Sequence, residues 1–492
     1  MSGLMSLSQL ADGLFSLSGE YNPVITGMTA DSRNLQPGDA FIAVKGMTAH
    51  GLDYLKPDQA AKAAVVLFEP PTPKAYSPTP NAIAVPDLNR LQARLANRFF
   101  NSPSRAMKVI GVTGTNGKTS NVQLLAEAFS NAGRKTGTIG TLGVGLHGNL
   151  KPGERTTPDV ISVHRSLAEL RQEGAQIVAM EVSSHALDQA RVAEVVFDTA
   201  VFSNLTQDHL DYHGTMQAYF EAKAKLFAWP GLRNAVINID DDYGQALTER
   251  LSGNISILRV SANGNPDADV RAEQIRLGLD GMHFTLVCRQ ERVDVASPLL
   301  GRFNVDNLLT VAGVLLASGF AVGQIGRLIG GLQPVDGRMS RLGGKDGQPL
   351  LVVDYAHTPD ALEQTLKTLR GHTEGRLLCV FGCGGDRDRS KRPLMAACAE
   401  RLADVIWVTD DNPRTESGDA IVAEIVSGFK NPDLVRIQRD RRAAIHEAIH
   451  AAGPRDIVLI AGKGHETYQE VDGVKSAFDD RAIAAEALTE AA

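Results

Sequence analysis

The sequence predicts an α/β protein of three domains, with mostly parallel sheets covered by helices. Three observations carry this. At 492 residues the chain holds roughly three domains of ordinary size. Short apolar runs alternate with helix-patterned stretches through two long blocks, the pattern of parallel sheets buried on both faces. The run Lys108 to Ser120 passes from an apolar strand through a glycine-rich turn into a helix, the way a chain builds a phosphate cradle.

The blocks follow in order. In residues 1–103, Ala40 to Val44 and Ala63 to Phe68 read as strands. Pro70, Pro71, Pro73, Pro78 and Pro80 mark an irregular connection, and a helix-like stretch from Asp87 to Phe100 leads to a boundary at Pro103. Residues 104–335 open with the strand Met107 to Val112. A helix from Lys118 to Ala132 follows, with Leu124, Leu125, Ala128 and Phe129 on one face and Gly133 at its stop. Strands at Ile177 to Met180, Thr199 to Phe202 and Ala235 to Ile239, and a helix from Asn307 to Ser318, complete a P-loop NTPase-like unit. Residues 336–492 alternate again, and their strands Leu350 to Val353, Arg376 to Phe381, Val405 to Val408 and Ile457 to Ile460 suggest a Rossmann-like unit. A hinge near Pro334 to Gly337, closing on nucleotide binding, is expected between the last two blocks.

Composition excludes several classes. With 43% apolar and 22% charged residues the chain buries real cores. Its net charge of -7 argues against a general nucleic-acid binder. Cys288, Cys379, Cys383 and Cys398 form no C-x-x-C pair and read as buried thiols in a reducing compartment. No signal peptide is visible, and no apolar stretch approaches the ~20 residues that span a bilayer. A soluble, cytoplasmic chain is expected.

The cradle carries the first chemistry. Gly114, Thr115, Asn116 and Gly117 form the turn, and Lys118, Thr119 and Ser120 open the helix. Lys118 reaches toward terminal phosphates, and the Thr119 hydroxyl suits a magnesium ion. The usual spacing G-x-x-x-x-G-K-[ST] fails by one residue, because Val112 stands five before Gly117. Ligands in such sheets sit at the carboxyl ends of strands. Glu181 follows one apolar run, and His209 lies in the segment after another, so both can converge on a metal beside Thr119. Taken singly, Glu181 reads as a helix N-cap and His209 as a loop histidine. Gly382 to Gly385 lacks the G-x-G-x-x-G spacing, so a dinucleotide site is not indicated there.

Together, Gly114 to Thr119, Glu181 to His185, Asn204 to Gly214, Asp354 to Pro359 and Asp411-Asn412-Pro413-Arg414 resemble the Mur ligases over essentially the whole chain. The resemblance implies ATP-dependent amide synthesis through an acyl phosphate, with Mg2+. It implies that meso-diaminopimelate is added to the D-glutamate γ-carboxylate of a UDP-N-acetylmuramoyl dipeptide in peptidoglycan synthesis. It places catalysis on Lys118, Glu181, His209 and Lys223, and metal binding on Thr119, Glu181, His209 and a carbamylated Lys223, for which Lys225 is the competing lysine. It puts Asn307, Arg338, Asp354 and His357 on the nucleotide. It puts Ser32, Met47, Thr48, Ala49, Thr156, Thr157, Ser183, Gln189 and Arg191 on the UDP-sugar peptide.

Arg387, Asp411, Asn412, Pro413, Arg414, Gly462 and Glu466 match contacts to diaminopimelate. An arginine grips a carboxylate bidentately, and diaminopimelate has a second amino-acid head where lysine has only an ammonium, so Arg414 disfavours lysine. A monomer is expected. The alternatives are the lysine-adding sister ligase, folylpolyglutamate synthetase, and a P-loop kinase or motor. The last should show a strand-end Walker B aspartate, and none is evident.

Overall fold

The computed structural model describes residues 4–17, 19–46, 49–74, 76–153, 155–251, 253, 255–335, 339–345 and 347–490. Met47, Thr48 and Arg338, and Gly337 at the expected hinge, lie outside the described residues. The chain forms two compact units, one of residues 1–261, 265–270 and 310–320, the other of residues 262–264, 271–309 and 321–492. Among the described residues no helix is long and apolar enough to cross a membrane.

The first unit opens with a four-stranded parallel sheet, β1 (Gly27–Thr29), β2 (Asp39–Ala43), β3 (Val65–Phe68) and β4 (Ala82–Ala84), in that spatial order. The helix Leu88–Phe99 packs Leu88, Leu95, Ala96 and Phe99 into the same core as Ile42 and Leu67. The larger sheet follows: β5 (Lys108–Thr113), β6 (Thr136–Gly140), β7 (Gly143–Leu146), β8 (Asn149–Lys151), β9 (Ile177–Glu181), β10 (Thr199–Phe202), β11 (Asn234–Asn238) and β12 (Ser256–Ser261). Within this unit its order is β8-β7-β6-β9-β5-β10-β11-β12.

Central β5 is buried from Val109 onward, because both of its faces are covered. That explains a continuous apolar run where a half-exposed strand would alternate. Parallel register sets Glu181 of β9 beside Val112 and Phe202 of β10 beside Thr113. The carboxyl ends of three adjacent strands are thereby aligned, and Gly114, Glu181 and Ser203 emerge side by side.

In the second unit β13 (Val270–Gly278) precedes an antiparallel pair, β14 (Gly281–Cys288) and β15 (Glu291–Ser297). A six-stranded sheet of β16 (Ser340–Gly343), β17 (Leu350–Asp354), β18 (Leu377–Phe381), β19 (Val405–Val408), β20 (Val435–Ile437) and β21 (Ile457–Ala461) runs in the order β16-β17-β21-β18-β19-β20. All of its pairings are parallel except β16 with β17. The hairpin β22 (Tyr468–Val471) and β23 (Val474–Ala477) lies outside that sheet.

The predicted strands are present with small shifts at their ends. The antiparallel and edge pieces β6 to β8, β14 to β16 and the β22–β23 hairpin are additions that the apolar runs did not announce. Sequences such as Thr136-Gly137-Thr138-Ile139-Gly140 have no apolar run, although the strand is buried throughout.

Asp480 begins the last helix, Asp480–Glu490, and is fully buried against Arg441 with bonds of 2.8 and 2.6 Å. Arg441 also donates to the Ala461 carbonyl at 3.0 Å. Removing one partner of a buried ion pair strands the other charge at a cost of about 3–5 kcal/mol. Asp480→Ala is therefore expected to destabilise the second unit by about that amount. Urea unfolding in a Trp229→Phe background, where buried Trp407 is the remaining tryptophan, reads this unit separately. An unchanged midpoint would refute the assignment.

Candidate active site

Two tightly bonded clusters carry many of the residues singled out in the sequence. The first lies at the end of β5. Gly114 has φ +151°, and a Cβ there would sit 1.9 Å from the Ser203 Oγ, so no other residue fits the turn. Ser203 and Asn204, the first residues after β10, tie the loop down. Asn204 accepts from the Thr115 amide through its carbonyl and from the Asn116 amide through its side chain, both at 2.9 Å. The Ser203 hydroxyl donates to the Asn116 carbonyl at 2.7 Å. With those two amides engaged, the donors for an anion are those of the first helical turn, beginning at Lys118 behind the left-handed Gly117 and including Thr119 and Ser120.

The Gly114 carbonyl accepts from two lysines, Lys118 at 3.0 Å and Lys223 at 2.8 Å. Lys118 also donates to the Thr115 carbonyl at 2.8 Å. Lys223, on the helix Met216–Ala224, is 1% exposed, so it is a buried amine rather than a solvated one. Its ammonium lies 4.4 Å from the Tyr219 ring centroid. Burial, reinforced by Lys118, pulls its pKa down to about 6. Competing Lys225 is exposed and pairs with Asp188 at 2.9 Å.

Glu181 is the last residue of β9, and the cap of the next helix is Ser183. Its buried carboxylate accepts from the Thr119 hydroxyl at 3.1 Å, the Thr141 amide at 2.7 Å and the Thr141 hydroxyl at 3.2 Å. Burial raises its pKa, opposed by these bonds and by Lys118. A hydroxyl and a carboxylate sharing a hydrogen bond form the hard oxygen set that suits magnesium, which takes one or two carboxylates and fills the rest with phosphate and water. Among the described residues no three His, Cys, Asp or Glu side chains are grouped to hold a metal by themselves.

His209 lies nearby with φ +53°, its ring 4.9 Å from that of His185 and 5.9 Å from that of Tyr219. Its Nε2 lies 3.4 Å from Asp208. Among the described residues no hydrogen bond or ring contact joins it to Glu181.

The peptide-binding candidates are bonded to this centre. The Thr157 hydroxyl donates to the Glu181 carbonyl at 2.8 Å and accepts from the Ser183 amide at 3.2 Å. Thr156 meets Thr141 at 3.2 Å. Arg191 donates to the Thr157 carbonyl at 3.1 Å and to Gln189 at 2.6 and 3.0 Å. Ser32 lines a cavity of ≈ 840 Å³ together with Asn34, Tyr54, Arg155 and Arg165. Those four were missed in the sequence. Arg155 directly precedes Thr156, which was the available signal, whereas nothing local marked Arg165. The Ala49 carbonyl accepts from the Gly46 amide at 2.8 Å and closes the neighbouring turn.

The second cluster lies at the ends of β19 and β21. Asp411 and Asn412 are buried, and Pro413 with them, while Arg414 is half-buried with φ +53°. Arg414 donates to the Gly385 carbonyl at 2.7 Å, and its Nε lies 3.7 Å from Glu470. The Asn412 amide donates to Glu466 at 2.9 Å. Gly462 has φ +120°, and a Cβ would fall 2.6 Å from the Asp411 carboxylate. Arg387 is exposed and donates to the Asp386 carbonyl at 3.4 Å, and no bond joins it to the other residues of the set. Lys463, unmentioned in the sequence reading, is buried among them, and the polar run after β21 was the signal for it. Asn307 and His357 also lie in the second unit, bonded to Asn304 at 2.7 Å and to the Tyr355 carbonyl at 2.8 Å. Asp354, the last residue of β17, accepts from the Met339 amide at 2.8 Å.

Family models match in three stretches: the Mur ligase family catalytic domain at residues 24–100, the Mur ligase middle domain at 112–315 and the Mur ligase glutamate ligase domain at 337–464. The chain is 57% identical over 488 residues to a UDP-N-acetylmuramoyl-L-alanyl-D-glutamate–2,6-diaminopimelate ligase of Xanthomonas campestris pv. campestris, covering 99% of this chain and 98% of that one. It is 50% identical over 485 residues to the ligase of the same name from Pseudomonas aeruginosa, covering 98% of each. A solved structure of a ligase of that name superposes with a TM-score of 0.78 at 36% identity, covering 99% of both chains. With a loop of compact spacing, the aligned strand ends around it and full-length likeness to these enzymes, the chain belongs to the Mur ligase family.

Proposed function

We propose that this chain is an ATP-dependent ligase that joins meso-diaminopimelate to the D-glutamate γ-carboxylate of UDP-N-acetylmuramoyl-L-alanyl-D-glutamate. The observation that carries the reading is the convergence of Lys118, Thr119, Glu181 and Lys223 on the turn at Gly114, in a chain alike over its whole length to ligases of that name. The reaction stands in peptidoglycan synthesis. Free, buried cysteines suit a reducing cytoplasm.

A carboxylate is a poor electrophile, and phosphate is a good leaving group. Attack by the γ-carboxylate oxygen on the terminal phosphorus of ATP gives an acyl phosphate and ADP. The amine of the amino acid then attacks the acyl carbon, and collapse of the tetrahedral intermediate releases phosphate, while the amine loses a proton. Two anions must meet for the first step, so positive charge and fixed donors do most of the work. Lys118 swings from the carbonyls of Gly114 and Thr115 to the phosphates, and the first-turn amides at Lys118, Thr119 and Ser120 hold them. Thr156, Thr157, Ser183, Gln189 and Arg191 hold the peptide beside Glu181, and the cavity at Ser32 takes the uridine end.

Thr119, Glu181, His209 and a carbamylated Lys223 are the residues that would hold magnesium, which would supply positive charge to offset the phosphates. The depressed pKa of Lys223 supports carbamylation, because a neutral amine is the form that adds CO2. Carbamylation turns that buried neutral amine into an anion suited to the metal. Asp411, Asn412, Arg414, Gly462 and Glu466 form the amino-acid site, with Arg387 at its edge. Arg414 pairs with the distal carboxylate, and the Asp411 and Glu466 carboxylates with the distal ammonium.

Phosphate release measured with ATP and the UDP-muramoyl dipeptide tests the reading. Release should require diaminopimelate and be negligible with lysine or without amine. Release independent of the amine would point to a kinase or motor, and release with lysine would move the chain to the sister ligase. Lys223→Ala should lose activity by at least about a hundredfold, the scale set by removing a charge stabiliser at a reacting centre. Short carboxylates such as acetate should restore part of it, and full activity in the unsupplemented variant would remove Lys223 from the mechanism.

A further inference from the structure

Lys463 follows β21 in the run Gly462-Lys463-Gly464-His465-Glu466, and its side chain is fully buried. Its ammonium donates to the Asn412 Oδ1 at 2.8 Å and lies 3.5 Å from Glu466 and 3.7 Å from Asp411. Asn412 relays this placement. Its Oδ1 also accepts from the Glu470 amide at 3.0 Å, and its amide donates to Glu466 at 2.9 Å. The acceptor capacity of Asn412 is thus committed within the protein, and what it offers is the orientation of Glu466.

Burying an ammonium is costly unless it is matched, and burial does lower the pKa of Lys463, against the pull of Asp411 and Glu466. The charges around it show what it achieves. Asp411 and Glu466 contribute two negative charges and Lys463 one positive, leaving one negative charge. The neighbouring Arg441 is matched by Asp480, and Arg414 lies beside Glu470. A site with one surplus negative charge next to a half-buried arginine is complementary to an ammonium beside a carboxylate, the head group of an amino acid. Without Lys463 the Asp411 and Glu466 carboxylates would lose the cation near both, and the Asn412 amide that bonds Glu466 would lose one of the two donors holding its Oδ1.

We propose that Lys463 is a positioning residue for the incoming amino acid. It fixes Asn412 and Glu466 and sets the net charge of their pocket to match one substrate ammonium. The inference rests on the reading of Asp411 to Arg414 and Glu466 as the amino-acid site, and it adds the group that organises them.

Steady-state kinetics of the full chain test it, with each of the three substrates varied in turn for the wild type, Lys463→Met and Lys463→Gln. Methionine keeps the length without charge or donor, whereas glutamine keeps a donor for Asn412. In Lys463→Met the KM for diaminopimelate should rise about tenfold or more, with kcat and the KM values for ATP and the UDP-muramoyl dipeptide changed less than about twofold. Lys463→Gln should show a smaller rise confined to the same substrate, and it carries the test alone if the methionine variant does not fold. An unchanged KM for diaminopimelate overturns the proposal, as does a parallel loss across all three substrates, which is the mark of a structural role. A wild type that releases no phosphate with diaminopimelate overturns the amino-acid-site reading itself, whereas an active wild type with unaffected variants sinks only the role of Lys463.

Discussion

One peptide oxygen, the carbonyl of Gly114, accepts hydrogen bonds from both Lys118 and Lys223, and the first unit is arranged around that pairing. It requires a glycine, because a Cβ at Gly114 would strike Ser203. It requires β5 to lie between β9 and β10, so that Glu181, Ser203 and the loop emerge at one level. It also requires the helix Met216–Ala224 to pack closely enough to bury Lys223. A second ammonium beside Lys118, out of water, is unfavourable, and burial shifts Lys223 toward its neutral form. The Lys118 ammonium and the amides of the first helical turn are the groups at this turn suited to phosphates.

The second cluster solves a related problem with opposite charges. There a buried lysine is surrounded by carboxylates and an amide, and a deeper arginine is matched by Asp480. At the Gly114 turn the unmatched charge is positive and the expected ligand is a polyanion. Between Asp411 and Glu466 the unmatched charge is negative and the expected ligand carries an ammonium. In both, the groups stand just beyond the carboxyl ends of parallel strands, the place where such sheets leave polar residues free of their own ladder.

Much of this was legible in the sequence because parallel strands buried on both faces leave continuous apolar runs, and the polar residues after each run are conspicuous. Glu181 and the Gly114 turn stand out in that way. Thr141 was not, because β6 consists of threonine, glycine and one isoleucine, which reads as loop although the fold buries it. Arg165 and Lys463 were missed for another reason. A basic side chain in a sequence reads as solvated, and only packing reveals that Lys463 is enclosed and that Arg165 is held by the Met28 carbonyl beside a cavity. Lys223 reads as solvated too, and only the family resemblance marks it in the sequence. The sequence suggests His209 for a metal beside Thr119, and the structure groups it with His185 and Tyr219.

On the proposed mechanism, the Gly114 turn is where a carboxylate is activated by phosphoryl transfer. The most direct measurement follows an oxygen atom. The UDP-muramoyl dipeptide, labelled with oxygen-18 in its D-glutamate γ-carboxylate, is turned over with ATP and diaminopimelate, and the released phosphate is analysed by mass. An acyl phosphate takes its bridging oxygen from the carboxylate and leaves with it, so one labelled oxygen should appear in each phosphate. Phosphate free of label would contradict the account.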